Sequence, residues 1–110
     1  MRFAMPLANG VLCAHFGHCQ QFVIVDTKDV GITAMNYHTP PPHEPGALPR
    51  WLGELEVNVV IAGGMGRRAL GLFNERGIQV MVGVPSASPE VLVADYLAGI
   101  LRVGENMCDH

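Results

Sequence analysis

Residues 13 to 19, CAHFGHC, place two thiols (Cys13, Cys19) and two imidazoles (His15, His18) in seven consecutive positions. Thiolates and imidazoles are soft donors suited to iron, copper and sulfide clusters, whereas hard cations would call for more oxygen ligands. The same groups could do other chemistry, with Cys19 as a thiol nucleophile and His15 or His18 as its base. A third reading is structural: a glycine-centred loop with Phe16 tucked into the core and the cysteines acting as small hydrophobes. The spacing lacks the C-x-x-C pairs of a closed zinc knuckle, and Cys13 sits nearer the preceding strand, so that burial and service as a cluster ligand are equally open to it.

Other candidates lie elsewhere in the chain. GGMG at 63 to 66 leads into Arg67 and Arg68. A glycine turn feeding a helix N-terminus offers backbone N–H groups and a favourable dipole to an anion, so Gly63, Gly64, Gly66, Arg67 and Arg68 form a candidate cradle. The Lys and Ser or Thr of a Walker loop are missing. Met65 is the one methionine expected to be exposed and available as a soft ligand; the others read as core filler. PPPHEP carries His43 on a stiff loop, as a ligand or as part of a lid. Cys108 and His110 flank Asp109 at the terminus, where they could fold over a bound group or pass it on.

These residues need a scaffold. Phe3, Met5 and Leu7 alternate and stop at Asn9-Gly10, which reads as a strand and a turn, so CAHFGHC follows a strand end. FVIVD (22 to 26) and GITAMNYH (31 to 38) are further strands, and the four prolines of 40 to 46 exclude regular structure there. Leu48, Trp51, Leu52 and Leu55 have helical spacing, and VNVVIA (57 to 62) is apolar throughout, as a strand covered on both faces should be. RRALGLFNER forms a helix whose buried stripe is Ala69, Leu70 and Phe73, with Gly77 as its stop. IQVMV (78 to 82) is the fifth strand. Ser88-Pro89-Glu90 opens a last helix carrying Val93, Tyr96, Leu97 and Ile100. The order βββαβαβα predicts an α/β fold of ribonuclease-H-like type: three layers, α/β/α, around a mixed five-stranded sheet. Residues 1 to 103 make one domain and 104 to 110 a flexible tail.

Composition narrows the function. With 49% apolar and 15% charged residues, net charge -3 and only seven Lys plus Arg, the chain has no electrostatic footprint for nucleic acid. No stretch has membrane-spanning length and Pro6, Asn9 and Gly10 interrupt any signal core, so a cytoplasmic protein is expected. Three cysteines cannot all pair within one chain, which disfavours a disulfide scaffold. A ribonuclease-type reaction needs carboxylates converging on metal ions from the sheet, and only Asp26 closes the second strand.

HFGHCQQFVIVD at 15 to 26, PPPHEPGALPRWL at 40 to 52, AGGMGRRALGLF at 62 to 73, GIQVMVG at 77 to 83 and the terminal CDH resemble the dinitrogenase iron-molybdenum cofactor biosynthesis family nearly end to end. That family includes NifX-like and NifY-like carriers, the C-terminal domain of NifB-like proteins, small proteins of anaerobes and archaea, and the orange proteins, which hold a molybdenum-copper sulfide cluster. The resemblance implies the ribonuclease-H-like sheet and a non-enzymatic carrier or scaffold for an Fe-S, Mo-Fe-S or Mo-Cu-S cluster, with His15, His18 and Cys19 foremost among its ligands. P-loop ATPases and cofactor-assembly proteins are the partners it suggests. The rival readings are the thiol enzyme above and a metal-independent adaptor for such an ATPase.

Overall fold

A computed structural model describes residues 1 to 14, 19 to 42, 44 and 46 to 104. The first strand, β1 (Arg2–Ala8), ends in Asn9-Gly10, where both residues have positive φ (55° and 81°). That is the backbone of a two-residue hairpin turn, for which Asn-Gly is the favoured pair. The turn returns the chain as β2 (Val11–Leu12), a strand too short for its periodicity to show in the sequence. Then come β3 (Gln21–Lys28), β4 (Gly31–His38), α1 (Ala47–Glu54), β5 (Val59–Ile61), α2 (Arg67–Glu75), β6 (Gln79–Met81) and α3 (Pro89–Leu97).

The sheet runs β4-β3-β1-β5-β6, with β2 paired to β1, so the five expected strands are present and a sixth is added. β1, β5 and β6 are parallel, while β1 with β3 and β3 with β4 are antiparallel. The carboxyl ends of β1, β4, β5 and β6 therefore share one edge of the sheet.

Alternation along the strands sorts the core into two layers, because successive side chains point to opposite faces. Phe3, Met5, Leu7, Val23, Val25, Val59 and Ile61 point to one face, where Leu92 and Val93 of α3 cover them. Ala4, Phe22, Ile24, Val60 and Ala62 point to the other, under Leu52 of α1 and Phe73 of α2. The expected three-layer α/β/α arrangement follows. Aromatic edges lock both layers: Phe3 meets Tyr96 at 5.0 Å between ring centroids, and Phe22 meets Trp51 at 5.5 Å.

Helix α3 begins as expected, with Ser88 at the N-cap and Pro89 in the first turn, although the Ser88 side chain makes no capping bond. It ends earlier than expected. Gly99 at φ 75° takes the chain out of the helix, and Ile100 stands beyond it, 66% exposed. Among the described residues no helix is long and apolar enough to cross a membrane.

Candidate functional site

On one side of β1, β5 pairs with its first half (Phe3 with Val59, Ala4 with Val60) and β2 pairs with its end (Leu7 with Leu12, Ala8 with Val11). Strand β2 thus continues the row that β5 begins, and the two carboxyl ends meet head to head. Cys13, whose N–H donates to the Pro6 carbonyl at 2.8 Å, lies at the junction. The chain leaving β5 passes so close that a Cβ on Gly63 would stand 3.0 Å from the Ala14 carbonyl oxygen and 3.3 Å from that of Cys13. Glycine is required there by close backbone approach.

On the other side of β1, the Gln20 N–H donates to the Leu7 carbonyl at 2.9 Å and leads into β3. Neighbouring carbonyls of one strand therefore fix both ends of the CAHFGHC segment. Cys13 is buried, whereas Cys19 is half-buried and packs against the α1/α2 layer. Burial, with the charge of Cys13 as a second cause, pushes the Cys19 thiol up to about 11.

A third segment completes this edge. Gly83 N–H donates to the Gly63 carbonyl at 2.8 Å, Leu12 N–H to the Ala87 carbonyl at 3.0 Å, and the Ser86 hydroxyl to the Leu12 carbonyl at 2.8 Å. A cavity of about 240 Å³ opens between Leu12, Cys13, Ala14, Gly63, Gly83 and Ser86. Gly83 has φ 70°, and any Cβ on it would overlap the Gly104 backbone, so the C-terminal segment returns to this same edge.

The 63 to 66 turn delivers α2 to the edge as well. Gly63 and Gly64 are buried and Gly66 is exposed at the N-cap position, with no side-chain capping bond and no acidic residue in the first turn. Arg67 and Arg68 stand there instead, exposed. Cations at a helix N-terminus oppose the dipole, and an anion bound beside them would reverse that cost.

The structure brings Cys13, Cys19, Gly63, Gly64, Gly66, Arg67 and Arg68 to one end of the sheet. Met65 is a correction: it is 1% exposed, packed in the α1/α2 layer with Val60, Ala62 and Phe73, and therefore fills the core. His15, His18, His43, Cys108 and His110 lie outside the described residues. Among the described residues, no three of His, Cys, Asp and Glu could hold one metal ion together. Asp26 belongs to the far end of β3, where Arg2 Nε donates to its Oδ1 at 2.7 Å.

One residue at this edge escaped the sequence reading. His38 closes β4, paired with Phe22 and edge-on to Trp51 at 6.0 Å between ring centroids. It reads as the last residue of a strand, and only the register reveals that it shares an edge with Cys19.

Comparison with known proteins agrees with this architecture. The profile of the dinitrogenase iron-molybdenum cofactor family matches residues 1–99. An uncharacterized protein of Methanocaldococcus jannaschii, MJ0580, is 32% identical over 89 residues, 73% of this chain and 72% of its own length. The crystal structure of PH0822 superposes with a TM-score of 0.86 at 29% identity over 94% of each chain. The apo form of the orange protein from Desulfovibrio gigas shares the fold, with a TM-score of 0.76 at 22% identity, covering 96% of this chain and 93% of that one. Since the family match covers every strand and helix of the described residues, the chain belongs to the dinitrogenase iron-molybdenum cofactor family.

Proposed function

We propose that this protein binds a metal-sulfur cluster as cargo, an iron-molybdenum cofactor precursor or another Mo, Fe or Cu sulfide cluster, and carries it or helps assemble it without catalysing a reaction. The observation that carries the reading is the contact between the Cys13-Ala14 backbone and Gly63, which joins the thiol-bearing segment to the glycine turn of α2. Soft donors and a helix N-terminus flanked by arginines thereby share one edge, the combination that an anionic metal sulfide requires.

In this reading Cys19, His15 and His18 are the principal ligands, and Cys13 is a further thiol. His43 and the terminal Cys108 and His110 are additional donors. Gly104 supports the last two, because it places the start of the terminal segment against Gly83, on the cavity wall. Gly63, Gly64, Gly66, Arg67 and Arg68 face the anionic surface of the cargo. Donors from several segments are needed, because the described residues alone assemble no three-ligand group.

The raised pKa of Cys19 speaks for a ligand rather than a nucleophile. A catalytic thiol is activated by a lowered pKa, and this one stays protonated near neutrality until something as strong as a metal displaces the proton. Donor and acceptor proteins, including P-loop ATPases, would meet the cargo at the same edge.

The test is anaerobic titration of metal-free protein with ferrous iron and sulfide, and separately with tetrathiomolybdate and copper, followed by gel filtration with metal and sulfide analysis. Metal and sulfide co-eluting with the protein in a fixed ratio support the proposal. Protein that emerges without metal from both titrations refutes it.

A further inference from the structure

Helix α3 carries apolar residues on its outer side as well as on the side that meets the sheet, beside the charged Glu90 and Asp95. Leu92 and Val93 are buried under the sheet, while Val91 is 50% exposed and Ala94 and Ala98 face solvent. The outer face is therefore mixed, apolar at Val91, Ala94 and Ala98 and charged at Glu90 and Asp95, as an interface between two proteins is. The apolar surface continues past the helix into Ile100 and Val103, 66% and 55% exposed. Beyond Gly99 the chain folds back, and a groove of about 420 Å³ lies between Val91 and Asp95 of the helix and Ile100, Leu101 and Arg102 of the returning segment.

From this groove we infer that the outer face of α3 is where a second copy of the chain docks, related by a two-fold axis. The charges select that occupant. Each groove carries one acid, Asp95, and one base, Arg102, and among the described residues neither has an ion-pair partner. Two copies facing each other bring Asp95 of each against Arg102 of the other, so an isologous contact satisfies both at once. The small side chains of Ala94 and Ala98 permit close approach of the two helices. Because α3 covers one face of the sheet and Cys19 packs on the other, docking leaves the Cys19 side open.

The test is sedimentation equilibrium of the full metal-free chain from about 1 to about 300 µM, with circular dichroism confirming that each variant folds. Wild type is expected to reach twice the chain mass. Ile100→Glu should raise the dissociation constant by about tenfold or more, as for loss of an apolar anchor. Asp95→Arg and Arg102→Asp should each weaken association, and the double variant should recover most of it, because the pair is restored with its charges exchanged. Wild type that stays monomeric throughout overturns the inference, as does a dimer indifferent to all these substitutions. Association through Ile100 with a different protein alone would overturn the assignment of a second copy.

Discussion

Gly63 and Ala14, forty-nine positions apart in sequence, are in backbone contact: a Cβ on Gly63 would stand 3.0 Å from the Ala14 carbonyl oxygen and 3.2 Å from its Cα. This contact exists because β2 lies in line with β5 along the same flank of β1. It makes the glycine turn of α2 and the cysteine segment one structural unit.

Gly63→Ala should therefore destabilise the fold by about 1–3 kcal/mol, since the neighbour that must give way is backbone. Gly66→Ala is the internal control. Its φ of -64° and ψ of 153° suit any residue, and nothing lies within 4 Å of an added Cβ, so only the weaker N-cap preference of Ala applies and the loss should stay below about 1 kcal/mol. Urea denaturation of both variants checks the contrast, and equal losses would mean that the close approach is not limiting.

Much of this fold was legible, because each layer is written in local alternation. Phe3, Met5 and Leu7 alternate as a strand does, the apolar run of 57 to 62 announces a strand covered on both faces, and Ser88-Pro89 marks the start of α3. Two features were missed for lack of length or register: β2 has two residues, too few to show a period, and His38 reaches the site edge only through its pairing with Phe22. Met65 was misread because a glycine-flanked residue resembles an exposed turn, while its side chain belongs to the buried cluster that also holds Phe73. The Gly63–Ala14 and Gly83–Gly104 approaches are long-range and leave no local pattern.

Met65 offers a test of that correction. As core filler it should tolerate Leu, a swap of similar volume, at a cost below about 1.5 kcal/mol, whereas Ala should cost about 2–5 kcal/mol through the cavity left behind. Thermal denaturation of the metal-free variants measures both. Metal loading of Met65→Leu should match wild type, because a side chain 1% exposed reaches no cargo. A selective loss of loading in Met65→Leu would restore the sulfur to the ligand set.

The pKa of Cys19 sets a pH dependence. It is raised from an ordinary 9.0 to about 11, so the folded chain holds this proton more tightly than the unfolded chain does. The resulting stability is intact below pH 9.0 and is lost as the pH rises through about 11. Metal-free wild type should become less stable across that window, and Cys19→Ser should flatten the decline. At pH 8, alkylation of Cys19 by iodoacetamide, followed by peptide mapping, should run roughly tenfold slower than for free cysteine. The smaller thiolate fraction is partly offset by the greater intrinsic nucleophilicity of a more basic thiolate. Alkylation faster than free cysteine would favour the enzymatic reading.

The deepest question about the site is whether the cargo is ligated by side chains or held by backbone donors and arginines, and the two modes leave different spectra. Ligand identity sets the charge-transfer bands of a metal sulfide, so if Cys19, His15 or His18 coordinate metal, Cys19→Ser or either His→Ala should shift the visible absorption of the loaded protein and weaken retention. If the edge instead holds a preformed anionic cluster, those variants should keep the wild-type spectrum. Arg67→Glu combined with Arg68→Glu should then lose binding, steeply so as salt is raised, because exposed charges are screened within a Debye length of about 10 Å at 0.1 M. Soft donors at both ends of the CAHFGHC segment favour ligation, and a spectral shift on Cys19→Ser with only modest salt sensitivity is the expected outcome. Anaerobic titrations of the wild type and both variant sets at low and high salt measure the difference. A Cys19→Ser protein that loads with an unchanged spectrum and unchanged retention would remove Cys19 from the ligand set and leave the 63 to 68 turn as the principal holder of the cargo.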